Sequence, residues 1–246
     1  MTQQLDVLAF GAHPDDIELM CAGTLIKLGG LGYKTGAISL TAGELGSRGT
    51  TQIRHREHEA ASKLMGLEAS KILDLADGHV QATSENRLKV IRELRAFRPK
   101  IVLAPHWETR HPDHGHCSHL VREAVFYSGL KKIITGQPPY RPVRVLYYME
   151  NFDFVPSVIV EISDCFDTKM AAIKSYQSQV FSQNASVNEP STYIASAEFM
   201  EAIRIRAEFW GQKIGVKDGE PFLVRESLQI NDPVAHFSKY ALAGLL

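Results

Sequence analysis

Leu5–Gly11 is a short apolar run that stops at a glycine, the pattern of a strand buried on both faces of a parallel sheet. Helical spacing follows at once. From Asp16 to Leu28, apolar residues fall at Ile17, Met20, Cys21, Leu25 and Leu28, and Gly29, Gly30 and Gly32 supply a stop. The cycle then repeats. A strand over Thr35–Leu40 leads through the Gly-rich loop Gly43–Gly49 into a helix over Thr51–Met65, which ends at Gly66. A strand over Lys71–Leu75 precedes a helix over Asn86–Phe97, whose Leu88, Ile91 and Leu94 share a face. Strand Ile101–Ala104 follows Pro99 and leads toward a helix from about His116 to Tyr127.

This alternation predicts an α/β fold: a Rossmann-like three-layer α/β/α sandwich with a mostly parallel sheet, built as a single domain over residues 1–246. The second half is less regular. Gly136–Pro142 reads as a loop, Val143–Met149 and Val158–Ile162 as strands, and Thr168–Tyr176 and Ala195–Lys213 as helices. A strand near Phe222–Arg225 closes the fold, and the tail after Asp232 carries no pattern. Ligands of such sheets bind beyond the carboxyl ends of the strands, where strand order reverses.

Composition removes several function classes. Hydrophobic content of 44%, with 22% charged residues and a formal net charge of -1, suits a globular protein and offers no electrostatic case for nucleic acid or an anionic membrane. The longest apolar stretches are strand-sized, and Met1–Asp6 has neither a basic nor a long apolar segment, so neither a membrane span nor a secretory signal is expected. Cys21, Cys117 and Cys165 are odd in number and far apart, which fits a reducing compartment, the cytoplasm.

Two clusters carry chemistry. The first, His13-Pro14-Asp15-Asp16, fills the turn between the first strand and helix. A phosphate-binding turn there needs glycines; this one holds proline and two carboxylates, which repel an anion and attract a cation. His13 and Asp16 offer an imidazole nitrogen and a carboxylate oxygen, both zinc ligands, and leave Asp15 free to act on a water. The same residues also fit a capping box, with Asp15 at the N-cap and Glu18 three residues on. Alone, the segment reads either way.

The second cluster is His111-Pro112-Asp113-His114, just past the strand Ile101–Ala104. With His106 and His116 it puts four histidines within eleven residues, in a chain with 10 in all. Adding His114 to His13 and Asp16 makes two histidines and one carboxylate with a position left open, the donor set of a catalytic zinc site. Asp113 could orient a histidine through its second nitrogen. His116 and His119 fall on the following helix as surface residues. A serine hydrolase is the weaker rival, since no GxSxG elbow occurs and only Ser39 or Ser47 could be offered as nucleophile. A non-catalytic sugar- or nucleotide-binding module, with the acidic turn only a cap, is the other.

On these residues the chain resembles the LmbE-like or PIG-L zinc deacetylases, and most of all their bacillithiol-biosynthesis branch, which removes acetate from N-acetylglucosaminyl malate. The resemblance spans roughly residues 5 to 230 and rests on Ala12–Asp16, Gly43–Gly49, Arg54 with Glu57, and His111–His114. Lys169, Ala172, Tyr176, Ser178 and Gln179 add to it, while Cys21-Ala22 departs from the small glycines of relatives. It implies one Zn2+ per chain, with Fe2+ as the alternative, held by His13, Asp16 and His114. Asp15 becomes the general base. His111, oriented by Asp113, stabilises the tetrahedral intermediate and helps the amine leave. Tyr193 is implied as an oxyanion donor, and Arg54 and Arg110 as contacts to substrate hydroxyl or carboxylate groups. For Arg54 and Glu57 a plain surface ion pair is the competing reading. The expected partners are a small N-acetyl sugar and further copies of the chain, as a trimer or hexamer. A diacetylchitobiose-like or antibiotic-precursor substrate stays open.

Overall fold

The computed structural model describes residues 4–181, 190 and 192–238. Five parallel strands form the centre of one sheet: β1 (Val7–Gly11), β2 (Thr35–Ser39), β3 (Ala69–Ile72), β4 (Ile101–Pro105) and β5 (Arg144–Tyr148). Their connections are helices α1 (Asp16–Gly30), α2 (Thr51–Leu64), α3 (Ser84–Phe97) and α4 (Pro112–Ser128). The sheet is completed by β6 (Val158–Glu161) and β7 (Gly219–Leu223), with α5 (Phe166–Lys174) and α6 (Ala197–Gln212) between them and α7 (Pro233–Phe237) last. The spatial order is β3-β2-β1-β4-β5-β7-β6, and β7 pairs antiparallel with both its neighbours. The three-layer α/β sandwich expected from the alternation is the fold observed. The tail beyond residue 238 lies outside the described residues.

Alternation along β1 explains the two layers. Leu8 and Phe10 pack with Val90, Leu94, Leu120 and Val121 of α3 and α4, while Val7 and Ala9 pack with Ile17, Leu25 and Ala61 of α1 and α2. Every residue of β1 is buried, as a central parallel strand requires. Strand order reverses between β1 and β4, which pair through Val7–Ala9 and Ile101–Leu103. The crevice at their carboxyl ends receives both sequence clusters.

Helix α4 begins at Pro112, earlier than the expected His116, and so carries Asp113 and His114 on its first turn. The cause is an unusual cap. His111 stands at the N-cap with its ring accepting the amide of Asp113, and Pro112 occupies the first helical position, where its missing N–H costs nothing.

Candidate active site

The turn after β1 is strained. Asp15 has φ 107°, in the left-handed region that favours glycine. It stands at the N-cap of α1, yet its side chain makes no capping bond. The other half of the capping box is absent too: Glu18 is buried and accepts from the Tyr176 hydroxyl at 3.0 Å. Asp16 does take up a backbone amide at the helix start, accepting from His13 N at 2.8 Å, but capping does not account for Asp15 or Glu18. A residue held in that conformation costs on the order of 1–3 kcal/mol and persists only where its surroundings hold it.

Arg54 is what holds it. Its buried guanidinium donates to the carbonyls of Pro14 (2.6 Å) and Gly43 (3.0 Å), and Nη2 lies 3.3 Å from Asp15 Oδ2. Gly43 has no room for a side chain, because a Cβ there would stand 1.9 Å from Arg54 Nη1. The ion pair with Glu57 is not formed: Glu57 accepts from the amide and hydroxyl of Ser178, at 2.7 Å each. Arg54 thus grips the strained turn and also lines the pocket above it.

Three ligand-type groups converge across the crevice. His13 Nδ1 lies 3.2 Å from His114 Nε2, His114 Nε2 lies 3.3 Å from an Asp16 oxygen, and His13 Nδ1 lies 3.6 Å from the other. Zinc bonds of about 2.0–2.2 Å in tetrahedral array put ligand atoms about 3.3–3.5 Å apart, and these separations lie near that range, with the two histidines facing different oxygens of Asp16; His111 also brings a ring nitrogen within 4.8 Å of those of His13 and His114. The outer nitrogens of both rings are also engaged. His13 Nε2 is 2.9 Å from Asp77 Oδ1, and His114 Nδ1 is 2.8 Å from Glu150 Oε2. Such carboxylates fix a ligating histidine's tautomer and raise its basicity.

Charge points the same way. Burial opposes a proton on His13, but Asp113, Asp16 and Asp77 outweigh it and raise its pKa to about 12. Burial likewise opposes charge on His114, and Asp16 and Glu150 carry it up to about 9. The surrounding carboxylates thus call for positive charge at this point, which protons or a metal ion can supply. Asp15 behaves differently. Burial, with the Asp16 charge beside it, raises its pKa to about 6 against the pull of Arg54.

His111 is exposed at the pocket, its ring 4.9 Å from His13 and 4.8 Å from His114. Because Nδ1 accepts the Asp113 amide, the neutral ring carries its hydrogen on Nε2. Asp113 does not orient His111 through its carboxylate. Oδ2 instead accepts from Gly78 N at 2.6 Å and lies 3.6 Å from His13 Nε2, so this acid steadies His13. His106 is elsewhere, its ring in tilted contact with those of Trp107 and Phe154, and His119 is exposed beside Glu123.

The pocket over these groups measures ≈ 310 Å³, enough for a single sugar. Arg110 and Tyr193 line it. The serine rival finds no support. Ser39 is buried in β2 and Ser47 is exposed on the 43–49 loop. A serine–histidine contact does occur, Ser70 Oγ to His58 Nε2 at 2.6 Å, but the ring's other nitrogen faces the Tyr176 hydroxyl rather than a carboxylate.

Asp77 and Glu150 escape a reading of the sequence. Asp77-Gly78 reads as a turn, and Glu150 is a lone acid after β5. Both stand just past the carboxyl ends of parallel strands, which is the signal that could have found them. Glu150→Gln should weaken metal affinity about 10–100-fold, the usual scale for such partners. Competition with a chromogenic chelator measures it, and an unchanged affinity would remove Glu150 from the centre.

Comparison with known proteins agrees with this geometry. The family model described as PIG-L, GlcNAc-PI de-N-acetylase, matches residues 8–125. The diacetylchitobiose deacetylase of Thermococcus kodakarensis is 30% identical over 188 residues, covering 70% of this chain and 69% of that protein. The chain belongs to the PIG-L deacetylase family. As such it is a hydrolase acting on N-acetyl amides of sugar-like substrates. Among solved structures, the conserved protein TT1542 of Thermus thermophilus superposes with TM-score 0.83 at 36% identity, covering 93% of this chain and 98% of that one. The N,N'-diacetylchitobiose deacetylase of Pyrococcus horikoshii, in complex with its inhibitor MPG, gives TM-score 0.77 at 27% identity over 89% of this PIG-L chain and 82% of its own.

Proposed function

We propose that this PIG-L deacetylase uses one zinc ion to remove the acetyl group from a small N-acetylglucosamine conjugate, with N-acetylglucosaminyl malate of bacillithiol biosynthesis as the substrate. The convergence of His13, Asp16 and His114 beside a buried, uncapped Asp15 carries the reading. These three residues would hold the metal. When bound, zinc polarises the amide carbonyl and lowers the pKa of water toward about 7.

The protein's own groups do the rest. Asp15, anchored by Arg54 at one oxygen, takes a proton from the attacking water. His111 donates from Nε2 to the oxygen on which charge develops, with the Tyr193 hydroxyl as a second donor from the pocket wall. The proton held by Asp15 then passes to the leaving nitrogen, so that amide and water become acetic acid and a free amine, which ionise to acetate and an ammonium group. Arg110 faces the substrate's hydroxyl or carboxylate groups from the rim.

This role sets a pH dependence. Asp15 is a base only when deprotonated, so at saturating metal kcat/KM should fall on the acid side, at a midpoint that the bound cation moves below the metal-free value of about 6. An acid limb that persists unchanged in the residual activity of Asp15→Asn would exclude Asp15 as the base.

The relatives from Thermococcus kodakarensis and Pyrococcus horikoshii favour a second reading, diacetylchitobiose as substrate. Acetate release from N-acetylglucosaminyl malate and from diacetylchitobiose, measured side by side with zinc supplied, decides between them. The reading includes a cytoplasmic setting, in keeping with three free cysteines, and a homo-oligomer, trimer or hexamer, whose size sedimentation measures.

A further inference from the structure

Beside the catalytic pocket lies a smaller cavity of ≈ 70 Å³, which shares Leu19, Met20, Asn151, Tyr193 and Phe199 with it as a common wall. Three charged side chains line the smaller cavity: Lys169, Glu220 and Arg206. Two of them neutralise each other. Lys169 Nζ stands 2.7 Å from Glu220 Oε1, and Glu220 also accepts from the amides of Gly23 and Thr24.

Arg206, on α6, is left over. Its polar contact is the Met20 sulfur, 3.5 Å from Nη1, and no carboxylate among the described residues stands within ion-pair distance. The acids that act on it from farther off are Asp153, exposed on its loop, and Glu150, which is committed to His114. Burial disfavours charge on the guanidinium, yet arginine keeps its proton. Among the described residues this partly buried cation has only a thioether within hydrogen-bond distance, so an anion that joins it gains a charge-assisted pair.

We propose that Arg206 reads the aglycone of the substrate: a carboxylate carried by the N-acetyl sugar enters this cavity and pairs with the guanidinium, with Asn151 and Tyr193 at its entrance. The planar fork of arginine matches a carboxylate with two parallel hydrogen bonds. At ≈ 70 Å³ the cavity has room for a group the size of a carboxylate. Substrate would then lie with its acetamide over His13, Asp15 and His114 and its acidic end on α6. The inference rests on the deacetylase reading for the identity of the sugar and names the substrate class of that same site.

Binding and turnover test it separately. Glucosaminyl malate and its neutral diamide, which have no acetyl group to lose, are titrated calorimetrically into zinc-loaded wild type, Arg206→Met and Arg206→Lys. Wild type should bind the diacid about 10–100-fold more tightly than the diamide, the scale of a charge-assisted pair. Arg206→Met should lose that preference while binding the diamide within about twofold of wild type, and Arg206→Lys should recover part of it. With the N-acetyl forms as substrates, Arg206→Met should raise KM for the diacid and leave kcat nearly unchanged. A preference that survives in Arg206→Met, or is missing in wild type, overturns the proposal. So does an effect of Arg206→Met confined to inhibition by free acetate. If the preference depends on Arg206 but neither N-acetyl form releases acetate, the subsite stands and the deacetylase reading falls.

Discussion

Asp15→Asn should lower kcat about 10²–10⁴-fold while leaving zinc bound, because it removes the proposed general base and none of the three proposed metal-holding groups. That loss corresponds to about 3–5 kcal/mol of transition-state stabilisation. Asparagine is the right replacement on structural grounds. It keeps the shape of the side chain and tolerates the left-handed conformation that Asp15 adopts at φ 107°. Arg54 keeps its bonds to the Pro14 and Gly43 carbonyls, so the turn stays anchored.

Stability moves the other way. The folded pKa of Asp15, about 6, lies above its ordinary value of 3.8, so the folded state binds this proton more tightly. Its carboxylate therefore costs stability progressively as pH rises from about 4 to about 6, a few kcal/mol once fully ionised. In the metal-free protein at neutral pH, Asp15→Asn should melt at or above the wild-type temperature. A variant that is inactive, stable and zinc-loaded is the expected combination. Near-normal turnover with zinc bound would remove Asp15 from the chemistry.

His114→Ala should have the larger effect on the metal. It deletes one corner of the His13–Asp16–His114 triangle and leaves Asp16 and Glu150 facing a void. Zinc content should fall to background in elemental analysis of the purified variant, and acetate release should fall with it. The metal-free protein should suffer as well, since breaking a buried ion pair by removing one partner costs about 3–5 kcal/mol. The sign of the pH dependence follows from the raised pKa. His114 titrates at about 9 in the folded state against 6.5 unperturbed, so its contribution is complete below pH 6.5 and lost as pH rises through 9. Metal-free wild type should lose that increment of stability over this window in denaturant melts, and His114→Ala should not. A variant that retains stoichiometric zinc would exclude His114 as a ligand.

Much of this is legible in the chain itself. The apolar run Leu5–Gly11 and the helical spacing after Asp16 carry the parallel sheet, because a strand covered on both faces has no polar side to show. His13, Asp16 and His114 are legible because two clusters of ligand-type residues each follow a strand. What stays hidden depends on pairing across the sheet. Asp77 and Glu150 follow β3 and β5, and nothing local distinguishes either from a turn or surface acid. Helix α4 starts early because a histidine, rather than serine or aspartate, caps it. Arg54 and Glu57 sit three residues apart, as a surface ion pair would, yet each turns inward to a different loop. Arg206 lies on an ordinary amphipathic helix, and only the packing of α6 against Met20 leaves it without a counter-ion among the described residues.

The most direct measurement is acetate release from N-acetylglucosaminyl malate by protein stripped with a chelator and then titrated with zinc. Activity should vanish on stripping and return in proportion to added metal, levelling off at about one zinc per chain. Undiminished release from stripped protein, or none after zinc is restored, would contradict a metal-dependent deacetylase built on His13, Asp16 and His114.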